Sequence, residues 1–322
     1  MKALIIGCGN IGAFYDTPNN SKGVFTHAHA YTLLSDIKSI AFYDTNQNKA
    51  LLATNLWGGT MLANLNHDLS DYKPDIVSVC TPTKYHLETI LELLKLHIRP
   101  KIILLEKPLS YDLETSKTIV SLLESNGILS NINFSRNFDT SIHSLRNSIL
   151  KYDDFTGIYG NAIYSKGFLN GGSHLISMLS FLFGNILDFK ILSGKNDFDD
   201  SDPSLDLWLS FEKCPSYTLM ATNHNDYFLC EYSFYFPNKR LSFYNLGFDC
   251  LEQEVIASEV FQGYRALSKG NIFNTSLNRS MLTYIDNSIR SLSNPSLLIM
   301  PASLALNTQI ICDQILTQYK GL

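Results

Sequence analysis

The residues with the most chemistry in their spacing are Gly7, Gly9 and Gly12, set out as G-x-G-x-x-G with Cys8 and Asn10-Ile11 between them. They directly follow Lys2-Ala3-Leu4-Ile5-Ile6, an apolar run of the kind a buried parallel strand needs. In that place Gly7 permits a tight turn and Gly9 lets a pyrophosphate approach the backbone. Gly12 allows a helix to pack closely on the strand. The chemistry implied is binding of an adenine dinucleotide, with Asn10 and Ile11 in the same turn. Asp44 ends the next apolar run, and a carboxylate there accepts both ribose hydroxyls while repelling a 2′-phosphate. No Lys or Arg follows it before Lys49, so NAD is favoured over NADP.

The spacing contains one irregularity. Asp44 lies 32 residues past Gly12, where about 20 is expected. The turn-rich segment 14–24, FYDTPNNSKGV, reads as an insertion, and removing its 11 residues restores the spacing. It is expected to interrupt the helix after the glycines, which would resume near His27 or His29, and to cover the cofactor cleft.

Two further clusters follow apolar runs. Thr81 and Pro82 lie just past the run 75–80, Thr83 suits a helix N-cap, and His86 sits in the first helical turn. Thr81 and Pro82 are expected at the cofactor, while His86 either faces the cleft or is a satisfied buried histidine. Glu106-Lys107-Pro108 ends the run 101–106. A lysine at the carboxyl end of a strand, beside a positively charged nicotinamide, would have its pKa drawn toward the range useful for acid–base work, though the triplet taken alone favours a solvated surface lysine.

These residues require elements to hold them. Apolar runs at 2–6, 38–43, 75–80, 101–106 and 128–134 alternate with helical patterns at 84–96 and 111–125, the latter stopping at Gly127. Strands alternating with helices imply a parallel sheet covered on both faces, a doubly wound Rossmann domain over 1–135. From 136 to 322 the pattern changes to an α+β domain with a mostly antiparallel open sheet. Helices are expected at 139–151 and 173–183, with strands at 156–165, 186–193, 205–211, 216–222, 228–236 and 240–246. The last two strands are joined by a turn at Pro237-Asn238-Lys239. In 228–236, Tyr232, Phe234 and Phe236 share one face and Tyr235 the other, so both faces look apolar. Such a sheet packs helices on one side and a partner on the other. A homo-oligomer, dimer or tetramer, is expected through it, unless helices at 276–292 and 302–319 supply the cover.

Composition narrows the class. Of 322 residues, 45% are hydrophobic and 17% charged, enough to build sizeable cores. A net charge of −5 without a basic stripe argues against nucleic acid as a partner. No secretory core or run of about 18 apolar residues is evident, so no membrane role is expected. Six widely spaced cysteines read as reduced thiols in a cytoplasmic protein. His27 and His29 are the only histidines close in sequence, and their spacing does not bring side chains onto one helix face, so no metal site is expected.

The glycine fingerprint, the T-P-T-x-x-H segment at Thr81–His86 and the E-K-P triplet at Glu106–Pro108 together resemble the glucose–fructose oxidoreductase / inositol dehydrogenase (Gfo/Idh/MocA) family. The similarity continues through ILSNINFSRNF into the second domain. It implies an NAD(P)-dependent dehydrogenase or reductase acting on CH–OH groups. A hydride would pass between nicotinamide and a hydroxyl-bearing carbon of a sugar, cyclitol or nucleotide sugar. It also implies that Lys107 sits at the substrate, that Glu106 borders the cofactor, and that the Lys107-Pro108 bond is cis. A second family motif, roughly G-G-x-x-x-D-x-G-x-H, matches here at Gly172 and His174. Its Asp position holds Asn170, and the carboxylate usual three residues after the His is Ser177. Asn cannot accept a proton, so His174 at the start of a helix, where imidazolium is disfavoured, becomes the candidate base. A capping or core role for His174 stays open. Asn170 would bind a substrate hydroxyl, with Lys166 and Tyr164 as weaker contacts. The missing Asp also keeps alive a second reading, a non-catalytic NAD-binding regulator of the same family.

Overall fold

Six segments line up as parallel strands, and in all but the short Thr60–Met61 most side chains are buried on both faces. They are β1 (Lys2–Ile6), β2 (Ser39–Tyr43), β3 (Thr60–Met61), β4 (Ile76–Val79), β5 (Ile102–Leu105) and β6 (Leu129–Ile132). Their order across the sheet is β3-β2-β1-β4-β5-β6, the doubly wound arrangement whose direction reverses between β1 and β4. Helices α1 (His27–Leu33), α2 (Gln47–Trp57), α3 (Leu65–Tyr72), α4 (His86–Lys95) and α5 (Leu113–Ser125) connect them. Side-chain caps from Thr26, Asn46, Asn64 and Asp112 start four of these helices. Gly127, at φ +64°, follows α5.

The computed structural model describes residues 1–20 and 22–321 and divides the chain into two units. The first comprises Met1–Phe138 and Asn278–Asp313, the second Asp139–Leu277 and Gln314–Leu322. The second unit opens with α6 (Thr140–Ile149), β7 (Tyr159–Tyr164) and α7 (Ser173–Phe183). Strands β8 (Ile186–Asp199), β9 (Asp202–Phe211), β10 (Cys214–Ala221), β11 (Cys230–Tyr235), β12 (Lys239–Tyr244), β13 (Asp249–Ala257), β14 (Arg265–Leu267) and β15 (Asn271–Asn274) follow. Nine strands form one sheet in the order β14-β13-β12-β11-β7-β10-β9-β8, with β15 also on β13. Only β7 and β10 run parallel. Phe183 of α7 packs among Phe211, Tyr217 and Phe234 of the sheet, the aromatic centre of this unit's core.

Three expectations need correction. The boundary at 135/136 placed everything from residue 136 on in the second domain, yet 136–138, α8 (Ser280–Arg290) and most of α9 (Ala302–Lys320) belong to the first unit. Met281, Tyr284 and Ile285 are buried in the first unit's core, and the Tyr284 hydroxyl donates to Asn131 O at 2.8 Å. These helices therefore cover the parallel sheet. Nor is β11 apolar on both faces: Tyr232 and Phe234 are buried while Glu231, Ser233 and Tyr235 face outward. Elements α2, α3 and β3, and strands β13 to β15, had no sequence signal. In α2 only Ala50, Ala53 and Trp57 are buried while Leu51 and Leu52 are exposed, so its apolar pattern points the wrong way.

By length and composition, Pro295–Lys320 would suffice to cross a membrane, with mean hydropathy 1.3. This segment departs from the expectation that none would. Ala302, Ala305, Thr308, Cys312 and Ile315 of α9 are buried against protein, the i, i+3, i+4 stripe of a core helix.

Candidate active site

Hydrogen bonds continuing the parallel ladder past the strand ends align the site. Gly7 N donates to Tyr43 O (2.9 Å), Cys80 N to Ile6 O (2.8 Å), Glu106 N to Val79 O (3.2 Å) and Asn133 N to Leu105 O (3.0 Å). The residues just beyond β1, β4, β5 and β6 thus stand in one row at the carboxyl edge, where open α/β sheets bind ligands. A cavity of about 680 Å³ lies over it, within the first unit. Gly7, Gly9, Asn10, Ile11, Asp44, Thr81, Pro82, Glu106 and Lys107, nine of the residues picked from the sequence, all line it.

The three glycines have separable roles. A Cβ on Gly7, which sits at φ +96°, would lie 2.7 Å from the backbone of Cys80 and Thr81. One on Gly12 would lie 2.4 Å from Gly7 O, while one on Gly9 would meet nothing within 4 Å. The first and third glycines therefore close the turn and the second leaves the backbone open to a ligand. The helix after them is one π turn, Asn10–Phe14. A buried knot accounts for the break. Asp16 accepts from Phe25 N (2.7 Å), Thr26 Oγ1 (2.6 Å) and His29 Nδ1 (2.8 Å). The helix restarts as expected at His27. Among its described residues the segment does not cover the cleft as expected: of these Tyr15 alone lines the cavity, and Val24 N is tied back to Asn278 O at 2.8 Å.

Asp44 Oδ2 accepts from Cys8 N and Oδ1 from Asn46 N, each at 2.8 Å. Its carboxylate thus braces the glycine turn and borders the cavity at once. Burial, with Asp44 nearby, pushes the Cys8 thiol up to about 12, so it stays protonated. Lys49, the first basic residue after Asp44, also lines the cavity. At the other end, Thr81 Oγ1 is buried with no hydrogen-bond partner among the described residues, a position suited to a polar group of a ligand. The Lys107-Pro108 bond is cis. Open glycine backbone, a carboxylate on the cavity wall and a hydroxyl with no partner among the described residues together fit a dinucleotide.

His86 does not reach the cavity. It is fully buried, within 3.1 Å of both Thr81 O and Leu109 O. Burial holds its pKa below the usual value, so the ring is neutral and its one N–H donates to only one of these two carbonyls. Thr83 lines the cavity within a 3₁₀ turn and does not cap α4. Sequence reasoning missed the partners of Glu106. Its Oε1 accepts from Asn133 Nδ2 (2.7 Å) and His27 Nε2 (2.9 Å).

In the second unit, Asn170 lies in a π turn, Gly167–Gly172, leading straight into α7. His174 is half-buried in the first turn of α7, whose Leu175, Met178, Leu179 and Leu182 are buried as expected. The carboxylate of Asp202, itself buried, accepts Leu169 N (2.6 Å) and Asn170 N (2.9 Å). Asp202 had given no sequence signal because it acts from β9, 32 residues away. Tyr164 is not a substrate contact: it is fully buried, and its hydroxyl donates to Leu205 O at 2.8 Å. Lys166, at φ +77°, extends its ammonium over the Phe198 ring. Among the described residues no group of three or more His, Cys, Asp or Glu could hold a metal ion.

Residues 1–134 match the model of the Gfo/Idh/MocA oxidoreductase family, NAD-binding Rossmann fold. No curated protein matches the chain by sequence. Among solved structures, UDP-N-acetylglucosamine 3-dehydrogenase GnnA from Acidithiobacillus ferrooxidans superposes with TM-score 0.69 at 14% identity, covering 98% of this chain and 96% of that one. A dehydrogenase from Chromobacterium violaceum gives 0.75 at 15% identity, covering 99% and 94%. Dehydrogenase MviM from Clostridium difficile gives 0.71 at 14%, covering 98% and 99%. At such identities the likeness speaks for fold, and it extends over both units.

Proposed function

With a first domain that belongs to the Gfo/Idh/MocA oxidoreductase family as the premise, we propose that the chain is an NAD-dependent dehydrogenase or reductase for a CH–OH group of a sugar, cyclitol or nucleotide sugar. The observation that carries this reading is the single cavity at the sheet's switch point that gathers Gly9, Asp44, Thr81, Glu106 and Lys107. Gly9 and its neighbours would hold the pyrophosphate, Asp44 the adenosine ribose, and Thr81 the nicotinamide half. When bound, NAD supplies the acceptor for the substrate's C–H hydride. Lys107 orients the reacting oxygen and stabilises charge on it. His174 takes the hydroxyl proton, and Asn170 binds a neighbouring hydroxyl. The nucleotide sugar in the substrate range is supported by the UDP-sugar dehydrogenase among the similar folds.

The same reading places the protein in the cytoplasm as a homo-oligomer. Support for the latter is the outward face of the nine-stranded sheet, where Tyr159, Met220 and Tyr235 are exposed. Lys107→Ala is expected to abolish NADH-linked turnover while changing NADH affinity only a few-fold; turnover retained by the variant removes Lys107 from the mechanism. One observation favours a second reading, the regulator: the motif carboxylate is absent at Asn170, whose backbone is instead pinned by Asp202. Tight NAD binding with no turnover across a panel of sugars, cyclitols and nucleotide sugars selects the regulator.

A further inference from the structure

Behind Glu106 runs a buried line of hydrogen bonds whose direction can be deduced. Tyr31 is wholly buried, and its hydroxyl meets only Ser78 Oγ among the described residues, at 2.7 Å. Burial raises the Tyr31 pKa far above its ordinary value, so the phenol keeps its proton. With no other acceptor, that proton points to Ser78 Oγ. The Ser78 proton then goes to its other neighbour, His27 Nδ1, at 2.8 Å. His27 Nδ1 is therefore an acceptor, and the ring carries its one proton on Nε2, which donates to Glu106 Oε1 at 2.9 Å. Asn133 Nδ2 donates to the same oxygen at 2.7 Å.

The consequence is electrostatic. His27 stands at ion-pair distance from Glu106, yet in this tautomer it is neutral. Two neutral donors fix the carboxylate without cancelling its charge. Both lie on the protein side, and Glu106 lines the cavity. We infer that this carboxylate, its charge not cancelled by His27, makes the site favour oxidised, positively charged nicotinamide over the neutral reduced ring.

The inference rests on the cavity being the coenzyme site. It needs the nicotinamide half near Glu106, and the sheet order supplies that. Asp44 ends β2 and the glycine turn ends β1, so a dinucleotide with its adenosine on Asp44 extends its other half over the ends of β4 and β5. Thr81 and Glu106 stand there. Lys107 lines the same cavity, and its ammonium acts in the opposite sense. An isosteric exchange at position 106 therefore reads the carboxylate alone.

The test is calorimetric titration of the full chain with NAD⁺ and with NADH, in wild type, Glu106→Gln and Glu106→Asp. In Glu106→Gln the preference for NAD⁺ over NADH is expected to fall on the order of tenfold, because one charge several ångströms from the ring is removed. Glu106→Asp is expected to keep most of it. A ratio that moves less than about twofold in the Gln variant overturns the inference while leaving the coenzyme site intact. Wild type that binds neither coenzyme overturns both. A readout on unaltered protein guards against misfolding of the variants: ¹⁵N shifts of His27 at pH 7 should show a neutral ring protonated at Nε2. An imidazolium there refutes the proposal.

Discussion

Asp44 engages two backbone amides, one on each oxygen, before any ligand arrives, so its carboxylate is preorganised in position and charge. A fixed negative charge at that edge accepts ribose hydroxyls and opposes a 2′-phosphate. Lys49 on the same cavity works the other way. Asp44→Asn is therefore expected to weaken NAD binding about tenfold, the weight of one charge-assisted hydrogen bond. NADP binding should hold or improve, and fluorescence titration of the two reduced coenzymes reads the ratio. If both coenzymes weaken equally, Asp44 is only a brace for the turn. At this scale the cavity residues were readable because each follows a strand in sequence. What was hidden were partners brought in from elsewhere, His27 and Asn133 beneath Glu106 and Asp202 beneath Asn170. Single side chains with no local pattern carry no sign of whom they will meet.

Two loops depend on such hidden partners, and each gives a measurable consequence. Asp202 holds the amides of Leu169 and Asn170 in the π turn that precedes α7. Asp202→Asn keeps the shape but leaves one amide without an acceptor, at a cost of about 1–3 kcal/mol. Because it acts through the turn, kcat is expected to fall with coenzyme affinity unchanged; a loss of coenzyme binding of equal size contradicts a role confined to Asn170 and His174. His86 is buried between the Thr81 and Leu109 carbonyls, and its neutral ring donates to one of them. Its folded-state pKa lies below the ordinary 6.5 because burial penalises the cation. The neutral ring thus contributes stability above that pH, and the contribution is lost as pH falls from about 6.5 through the folded value. Denaturant midpoints between pH 7.5 and 5 should drop in wild type and drop less in His86→Gln; parallel curves count against it. Elements with strong periodicity, such as α4 and α7, were visible in the sequence. The short, polar or outward-facing ones, α2, α3 and β15, were not, since their places are set by what they pack against rather than by their own pattern.

The two-unit division has a consequence for the whole chain. A cut at residue 135, where the alternating pattern ends, looks like a natural domain boundary. The first unit, however, is completed by residues 278–313. Met281, Tyr284, Ile285 and Met300 are all under 5% exposed within its core. Ile132 N donates to Met300 O at 2.9 Å, so the outer edge of β6 is also covered from there. Burying each such side chain is worth about 1.5–3 kcal/mol, and four of them together fall within the roughly 5–15 kcal/mol that separates folded from unfolded domains. A fragment of residues 1–138 is therefore expected to bind NAD weakly or not at all. It should melt non-cooperatively and aggregate through the uncovered sheet face and the open β6 edge. Supplying residues 278–313 in trans, or joined by a flexible linker, should restore a cooperative transition. A fragment of 1–138 that melts sharply and binds NAD as the full chain does would show the helices to be an accessory layer. The boundary was misread because strand–helix alternation registers only contiguous chain, whereas a sheet face is closed by whatever apolar helix reaches it, however far along the sequence.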